Sequence, residues 1–251
     1  GAVSYLYYAD RIYQINLAIA GIAVGTVSLP ALSKAFKNKN IIQLTNIQNK
    51  SFELSLLLSI PASLGLVLGS SEIVNALFGY GSFSVEDVEM TAKALKYFGF
   101  GVPAFALIKI LANFFFARNN TKTPFYISVF IVLINIVISL SFFSKIGFVI
   151  IPIATSISTW LGVIIYIYLL NKNKFLLLRS VLLIFFFKIL ISTIIMSFIL
   201  ILALENYASY LDYIYKYKAF YLISIVFFVG IVYLLSCKLL GLLKIKNYKT
   251  N

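Results

Sequence analysis

The chain has 251 residues, 61% of them hydrophobic and 16% aromatic, with 21 basic residues against 8 acidic ones and no histidine. A mean hydropathy of +0.98 excludes an ordinary soluble domain, in which about half the residues are apolar and roughly a quarter are charged. The missing His removes the commonest general base and metal ligand, the single Cys237 can form no disulfide within the chain, and the basic residues are scattered rather than gathered into a nucleic-acid patch.

No catalytic residue, metal site, cofactor or nucleic-acid partner is therefore expected, and an enzyme is the reading with least support. Unbroken apolar runs of about 20 residues, the length that crosses a ~30 Å hydrocarbon core as a helix, recur along the whole chain. A membrane β-barrel would instead alternate apolar and polar residues. The fold class expected is an all-α polytopic membrane helix bundle of about seven transmembrane helices.

In chain order the spans are 12–33, 52–77, 97–117, 125–143, 148–170, 180–204 and 219–243. The first is preceded by "YYADRIYQIN", residues 7–16. Asp10 and Arg11 are neighbours, so on a helix they point about 100° apart. Tyr7, Arg11 and Gln14 share a face, and Asp10 and Gln14 form a second pair four residues apart. Two readings stand. The face presents a guanidinium, an amide and a phenol to a ligand, with Arg suited to a phosphate through its planar fork. Alternatively, residues 12–33 suffice to span, and Asp10 and Arg11 only mark the interface beside an aromatic belt of Tyr5, Tyr7 and Tyr8.

Lys109 lies mid-span in the third apolar run, too far from either end to snorkel, which points to a water-filled cavity or a partner helix. Lys188 sits nearer the end of its span and is expected to snorkel. Asn113 and Asn135 are expected to bond across helices. Pro61, Pro103 and Pro152, with Gly65, Gly99 and Gly101, suggest kinks or close packing.

Alternate loops differ sharply in charge. The set 34–50, 118–124, 171–179 and 244–251 carries Lys34, Lys37, Lys39, Lys50, Arg118, Lys122, Lys172, Lys174, Arg179, Lys244, Lys246 and Lys249 with no acidic residue. The opposite set, 78–96, 144–147 and 205–218, sets Lys93, Lys96, Lys145, Lys216 and Lys218 against Glu86, Asp87, Glu89, Glu205 and Asp212. The positive-inside rule puts the first set and the C-terminus in the cytoplasm. Residue 1 then falls outside, although the chain starts at Gly1 with no signal segment, so an upstream span or several are expected before it.

Motifs carry a more specific resemblance. "GAVSYLYYADRIYQINLAIAGIAVGTVSLPALSKAF" from residue 1, "LFGYGSF" at 77–83 and "FFFARNNTKTPF" at 114–125 together resemble the MurJ (MviN) family of lipid II flippases within the multidrug/oligosaccharidyl-lipid/polysaccharide exporter superfamily. The matches cover roughly the first half of the chain. The resemblance implies two six-helix lobes around a central cavity followed by two extra helices that groove a lipid tail, with this chain running from about the eighth helix to the end. Residues 1–176 would be the C-terminal lobe without its first helix, and residues 177–251 the two extra helices.

The same resemblance implies that Arg11 meets the pyrophosphate of an undecaprenyl-pyrophosphate-linked substrate, lipid II. Asp10, Gln14, Tyr7 and Lys109 complete the expected headgroup-binding set. Gln14 stands where some members carry Glu, and Asn120 replaces the Asp of the loop motif. Implied partners are lipid II, membrane lipids and an N-terminal lobe, covalent or separate, in the bacterial cytoplasmic membrane. Alternatives are a polysaccharide or multidrug exporter of the same superfamily, or a non-transporting membrane module.

Overall fold

A computed structural model describes residues 1–206 and 216–243; Asp212 and the tail residues Lys244, Lys246 and Lys249 lie outside the described residues. Among the described residues there is no strand. The helices are α1 (Ala2–Leu17), a π-helical turn (Ala18–Ile22), α2 (Ala23–Lys37), α3 (Ile41–Leu68), α4 (Ser70–Phe78), α5 (Val85–Gly99), α6 (Val102–Phe116), α7 (Lys122–Ile146), a 3₁₀ turn (Gly147–Val149), α8 (Ile150–Lys172), α9 (Val181–Asn206) and α10 (Lys218–Leu239).

Local chemistry sets several of these boundaries. The Asn40 side chain caps α3 by accepting the Gln43 amide at 2.9 Å. Ser84 and Asp87 form a reciprocal capping box at the start of α5. Gly147, at φ 73°, ends α7 in a conformation an L side chain rarely adopts, and the chain doubles back there.

By length and hydropathy, Ile41–Leu68, Lys122–Lys172, Val181–Asn206 and Lys218–Leu239 qualify as spans, with the bent pair α5 and α6 as a fifth. The stretch 122–172 is two antiparallel helices. Asn135 Nδ2 of α7 donates to Thr155 Oγ1 of α8 at 2.9 Å, and a Cβ on Gly162 would strike Ile131. The expected span 12–33 belongs to a longer helical path, 2–37, interrupted by the π turn. The expected span 52–77 divides at Gly69 into α3 and α4, with α3 starting at Ile41. The expected span 97–117 is not one helix either, because the path bends by 41° between α5 and α6. Among the described residues each of the first three expected spans is interrupted, at the π turn, at Gly69 and at the α5–α6 bend, and the 2–37 path does not itself qualify as a span by length and hydropathy.

Loop contacts sort the ends. At the basic end the Arg118 guanidinium lies 5.4 Å from the Phe36 ring centre and 4.4 Å from that of Phe175. At the opposite end Tyr5 Oη donates to Asp87 Oδ1 at 2.9 Å, and Lys218 Nζ donates to Asn75 Oδ1 at 2.9 Å. Among the described residues the alternation of charge along the sequence is therefore a separation in space.

One hydrophobic cluster joins α2, α3, α6, α8, α9 and α10 through residues such as Leu56, Phe114, Phe115, Tyr166, Ile189 and Leu222. A second joins α1, α4 and α5 through Ile12, Tyr13, Val74, Leu95 and Phe98. On α3, the buried Ser51, Ser55, Ser59 and Ser63 recur every fourth residue, and buried Ser192 and Thr193 lie on α9. Small side chains of this kind let membrane helices approach closely where hydrocarbon supplies no hydrophobic drive.

Polar side chains fasten α9 and α10 to the rest. Gln48 Nε2 donates to the Phe175 carbonyl and its Oε1 accepts the Leu177 amide, both at 2.9 Å. Asn49 treats the Leu177 carbonyl and the Arg179 amide the same way, at 2.8 and 2.9 Å. Two side-chain amides thus stand in for a neighbouring strand along 175–179. Tyr233 Oη donates to the Leu57 carbonyl at 2.7 Å. Lys188 extends toward the basic end of the bundle: its Nζ donates at 2.8 Å to the carbonyl of Leu240, the residue that caps the C-terminal end of α10. Terminal carbonyls of a helix lack intrahelical donors and attract a cation, so this ammonium has a partner closer than water.

Candidate headgroup-binding face

α1 is anchored on its buried side. Ala9, Ile12 and Tyr13 are buried, and the Tyr13 ring stacks on Phe98 with centres 5.1 Å apart and meets Phe105 edge-on at 5.5 Å. That packing turns Tyr7, Arg11 and Gln14 outward, and all three are exposed. Arg11 Nη2 donates to Tyr7 Oη at 3.1 Å while its guanidinium carbon lies 4.7 Å from the Tyr7 ring centre. Asp10 is occupied by its other neighbour, Gln14, whose Nε2 donates to Asp10 Oδ2.

The pairing has a chemical consequence. Arg11 is oriented by a neutral phenol and keeps most of its donors, because the adjacent carboxylate is engaged one turn further along. A guanidinium presented this way can take two oxygens of a phosphate in parallel. Arg11 lies one helical turn beyond Tyr7, about 6 Å along the axis. Tyr8 packs against Phe78 and Phe83, with ring centres at 4.8 and 5.4 Å, in the loop layer.

Lys109 enters from α6. It is exposed and, among the described residues, makes no hydrogen bond or ion pair. Its helix crosses the α1–α2 path at two glycines. A Cβ on Gly21 would lie 3.3 Å from Ala106 Cα and 3.6 Å from Lys109 Cγ, and one on Gly25 would lie 3.8 Å from Lys109 Cβ. One turn on, buried Asn113 Nδ2 donates to the Gly25 carbonyl at 2.7 Å and to Ser28 Oγ at 3.2 Å. The expected interhelical roles of Asn113 and Asn135 are both met. The π turn between Arg11 and Gly25 widens the helix locally, and such turns frequently accompany functional sites.

The structure thus joins Tyr7 to Arg11 and Asp10 to Gln14, and sets Lys109 on a second helix with no bond to either pair. Sequence reasoning missed the two close-contact glycines and the π turn. A spacing of small residues, Gly21-x-x-x-Gly25, was the signal for the former. A separate groove of about 940 Å³ lies at the basic end, lined by Lys34, Phe36, Lys37, Lys39 and Asn119 among others.

Comparison with known proteins bears on this arrangement. The family model described as lipid II flippase MurJ matches residues 1–244. A probable lipid II flippase MurJ of Rickettsia prowazekii (strain Madrid E) is 38% identical over 217 residues, 86% of this chain and 42% of that protein. The corresponding protein of Rhizobium meliloti (strain 1021) is 40% identical over 165 residues, 66% of this chain and 31% of that one. A solved structure of lipid II flippase MurJ in an inward closed conformation superposes with a TM-score of 0.78 at 28% identity, covering 95% of this chain and 47% of the other. The chain spans less than half the length of these relatives.

Proposed function

The chain belongs to the lipid II flippase MurJ family, and we propose that it takes part in moving a lipid-linked peptidoglycan precursor across the bacterial cytoplasmic membrane by alternating access. The single observation that carries the site assignment is the exposed guanidinium of Arg11, oriented by Tyr7 while Asp10 is paired with Gln14. In this reading Arg11 and Lys109 replace the water around a diphosphate, and Tyr7, Asp10 and Gln14 hydrogen-bond the attached sugar. The apolar chain of the substrate stays in hydrocarbon, alongside the α9–α10 pair. The transport step makes and breaks no covalent bond.

The basic end faces the cytoplasm in this account, on the positive-inside rule. Residues 1–176 act as one lobe, and residues 177–251 as a lipid-tail appendage. A cavity needs a second wall, so the working protein includes an N-terminal lobe, joined covalently or supplied separately. Arg11→Ala should abolish growth of a flippase-depleted cell that depends on the protein carrying this sequence, at unchanged membrane abundance. Normal growth of that variant would remove the assignment.

A further inference from the structure

The bend between α5 and α6 lies outside the face described above, yet it sets the direction of the helix that carries Lys109. Breaking a helix inside a membrane frees carbonyl groups that must find donors from the protein, since hydrocarbon offers none. Here the three carbonyls at the break each receive a side chain from another helix. Ser156 Oγ donates to Tyr97 at 2.6 Å. Ser63 Oγ donates to Gly99 at 2.8 Å. Trp160 Nε1 donates to Phe100 at 3.0 Å.

Two of the donors, Ser156 and Trp160, sit one turn apart on α8. Close packing reinforces them. A Cβ on Gly101 would lie 2.8 Å from Ser156 Oγ, and one on Gly99 would lie 3.0 Å from Val67 Cγ2. The indole is partly exposed, at 41%, beside an apolar groove of about 360 Å³ lined by Phe100, Ile157 and Ile164. A Trp whose polar atom turns inward to a broken helix, while its ring faces outward, is placed by that hydrogen bond.

At its other end α6 is fixed by Asn113 on the Gly25 carbonyl. Lys109 lies between the two restraints, eight residues beyond Gly101 and four before Asn113. We infer that Ser156 and Trp160 are positioning residues for the transport site: through the carbonyls of Tyr97 and Phe100 they hold the bend that aims Lys109 at the cavity. The inference rests on the reading of Lys109 as a cavity residue given above. Neither residue touches the substrate. Ser63 shares the duty from α3, and of the three donors Trp160 is the exposed one.

The test uses thiol accessibility in membranes from cells making the whole protein. Lys109→Cys and, separately, Gln14→Cys are labelled with a membrane-impermeant thiol reagent; Cys237 is buried and sets the background. Trp160→Phe, which keeps the ring and loses the donor, should slow labelling at position 109 by about fivefold, the shift expected when one hydrogen bond no longer favours the bent state. Ser156→Ala should do the same and Ser156→Thr should restore the wild-type rate. Labelling at position 14 should stay unchanged. Equal rates at position 109 with and without Trp160→Phe, or equal slowing at both reporters, would overturn the inference and leave the site assignment standing. No labelling at position 109 in the parent would instead remove Lys109 from the cavity and this inference with it, and leave the Arg11 assignment to its own test.

Discussion

Polar side chains are used in opposite ways at the junction of α3 with α9 and α10 and on the face shared by α1 and α6. At the junction Gln48, Asn49, Lys188 and Tyr233 each bond backbone groups of another segment, and buried Lys218 reaches both Asn75 and the Gly79 carbonyl. On the face, among the described residues, Arg11 is held by a phenol one turn away and Lys109 makes no hydrogen bond or ion pair. In a membrane interior an unpaired charge costs about 2.5–3.5 kcal/mol even on lenient scales. The junction is not polar-saturated, since the Ser55, Ser59 and Ser192 hydroxyls are buried without a partner, but its amide and ammonium groups are all engaged, whereas on the proposed headgroup face two cations stay exposed.

Substitutions should break that contrast in a definite order. Arg11→Ala has the largest effect and the narrowest one. Complementation is lost, while the thermal transition of the purified protein moves by no more than the equivalent of ~0.5 kcal/mol, because an exposed side chain supports little packing. Arg11→Lys keeps the charge but not the fork and should restore only part of the growth.

Lys218→Met does the reverse. It leaves Asn75 Oδ1 and the Gly79 carbonyl without this donor and should lower stability by ~3 kcal/mol, the upper range for a lost buried charged hydrogen bond, read as a fall in thermal transition. Gln48→Leu leaves the Leu177 amide without its partner and the Phe175 carbonyl with only the longer bond from Arg118 Nη2 at 3.4 Å, for a loss of ~2 kcal/mol. Limited proteolysis between α8 and α9 should accelerate with it. Gly147→Ala, at φ 73° and ψ −156°, a backbone conformation essentially confined to glycine, should cost about 1–3 kcal/mol and leave the face untouched.

The sequence made the helical architecture legible because hydrophobic runs of spanning length and one-sided loop charge are both direct consequences of the bilayer. The described loops gather at two ends as that charge pattern implies, Arg118 meeting Phe36 and Phe175 at one and Tyr5 meeting Asp87 at the other. Breaks within spans were harder to read. Gly99 and Gly101 signalled a kink, but the break also needs Ser156 and Trp160, which come from a helix some sixty residues away, and periodicity on one segment carries no information about such donors. Lys188 reaches toward the basic end as its position implied, but the carbonyl that receives it, Leu240, belongs to another helix and was not legible from α9 alone. The pairing of Asp10 with Gln14 was legible from the four-residue spacing, since both ends of that bond lie on one helix.

The central claim is that the α1 face meets the headgroup, and substrate protection tests it most directly. Gln14→Cys, in membranes from cells making the whole protein, is labelled with a thiol reagent before and after lipid II is allowed to accumulate. The account predicts slower labelling with accumulated lipid II, and loss of that protection when Arg11→Ala is added. Labelling that is indifferent to lipid II while the protein still supports growth would contradict it.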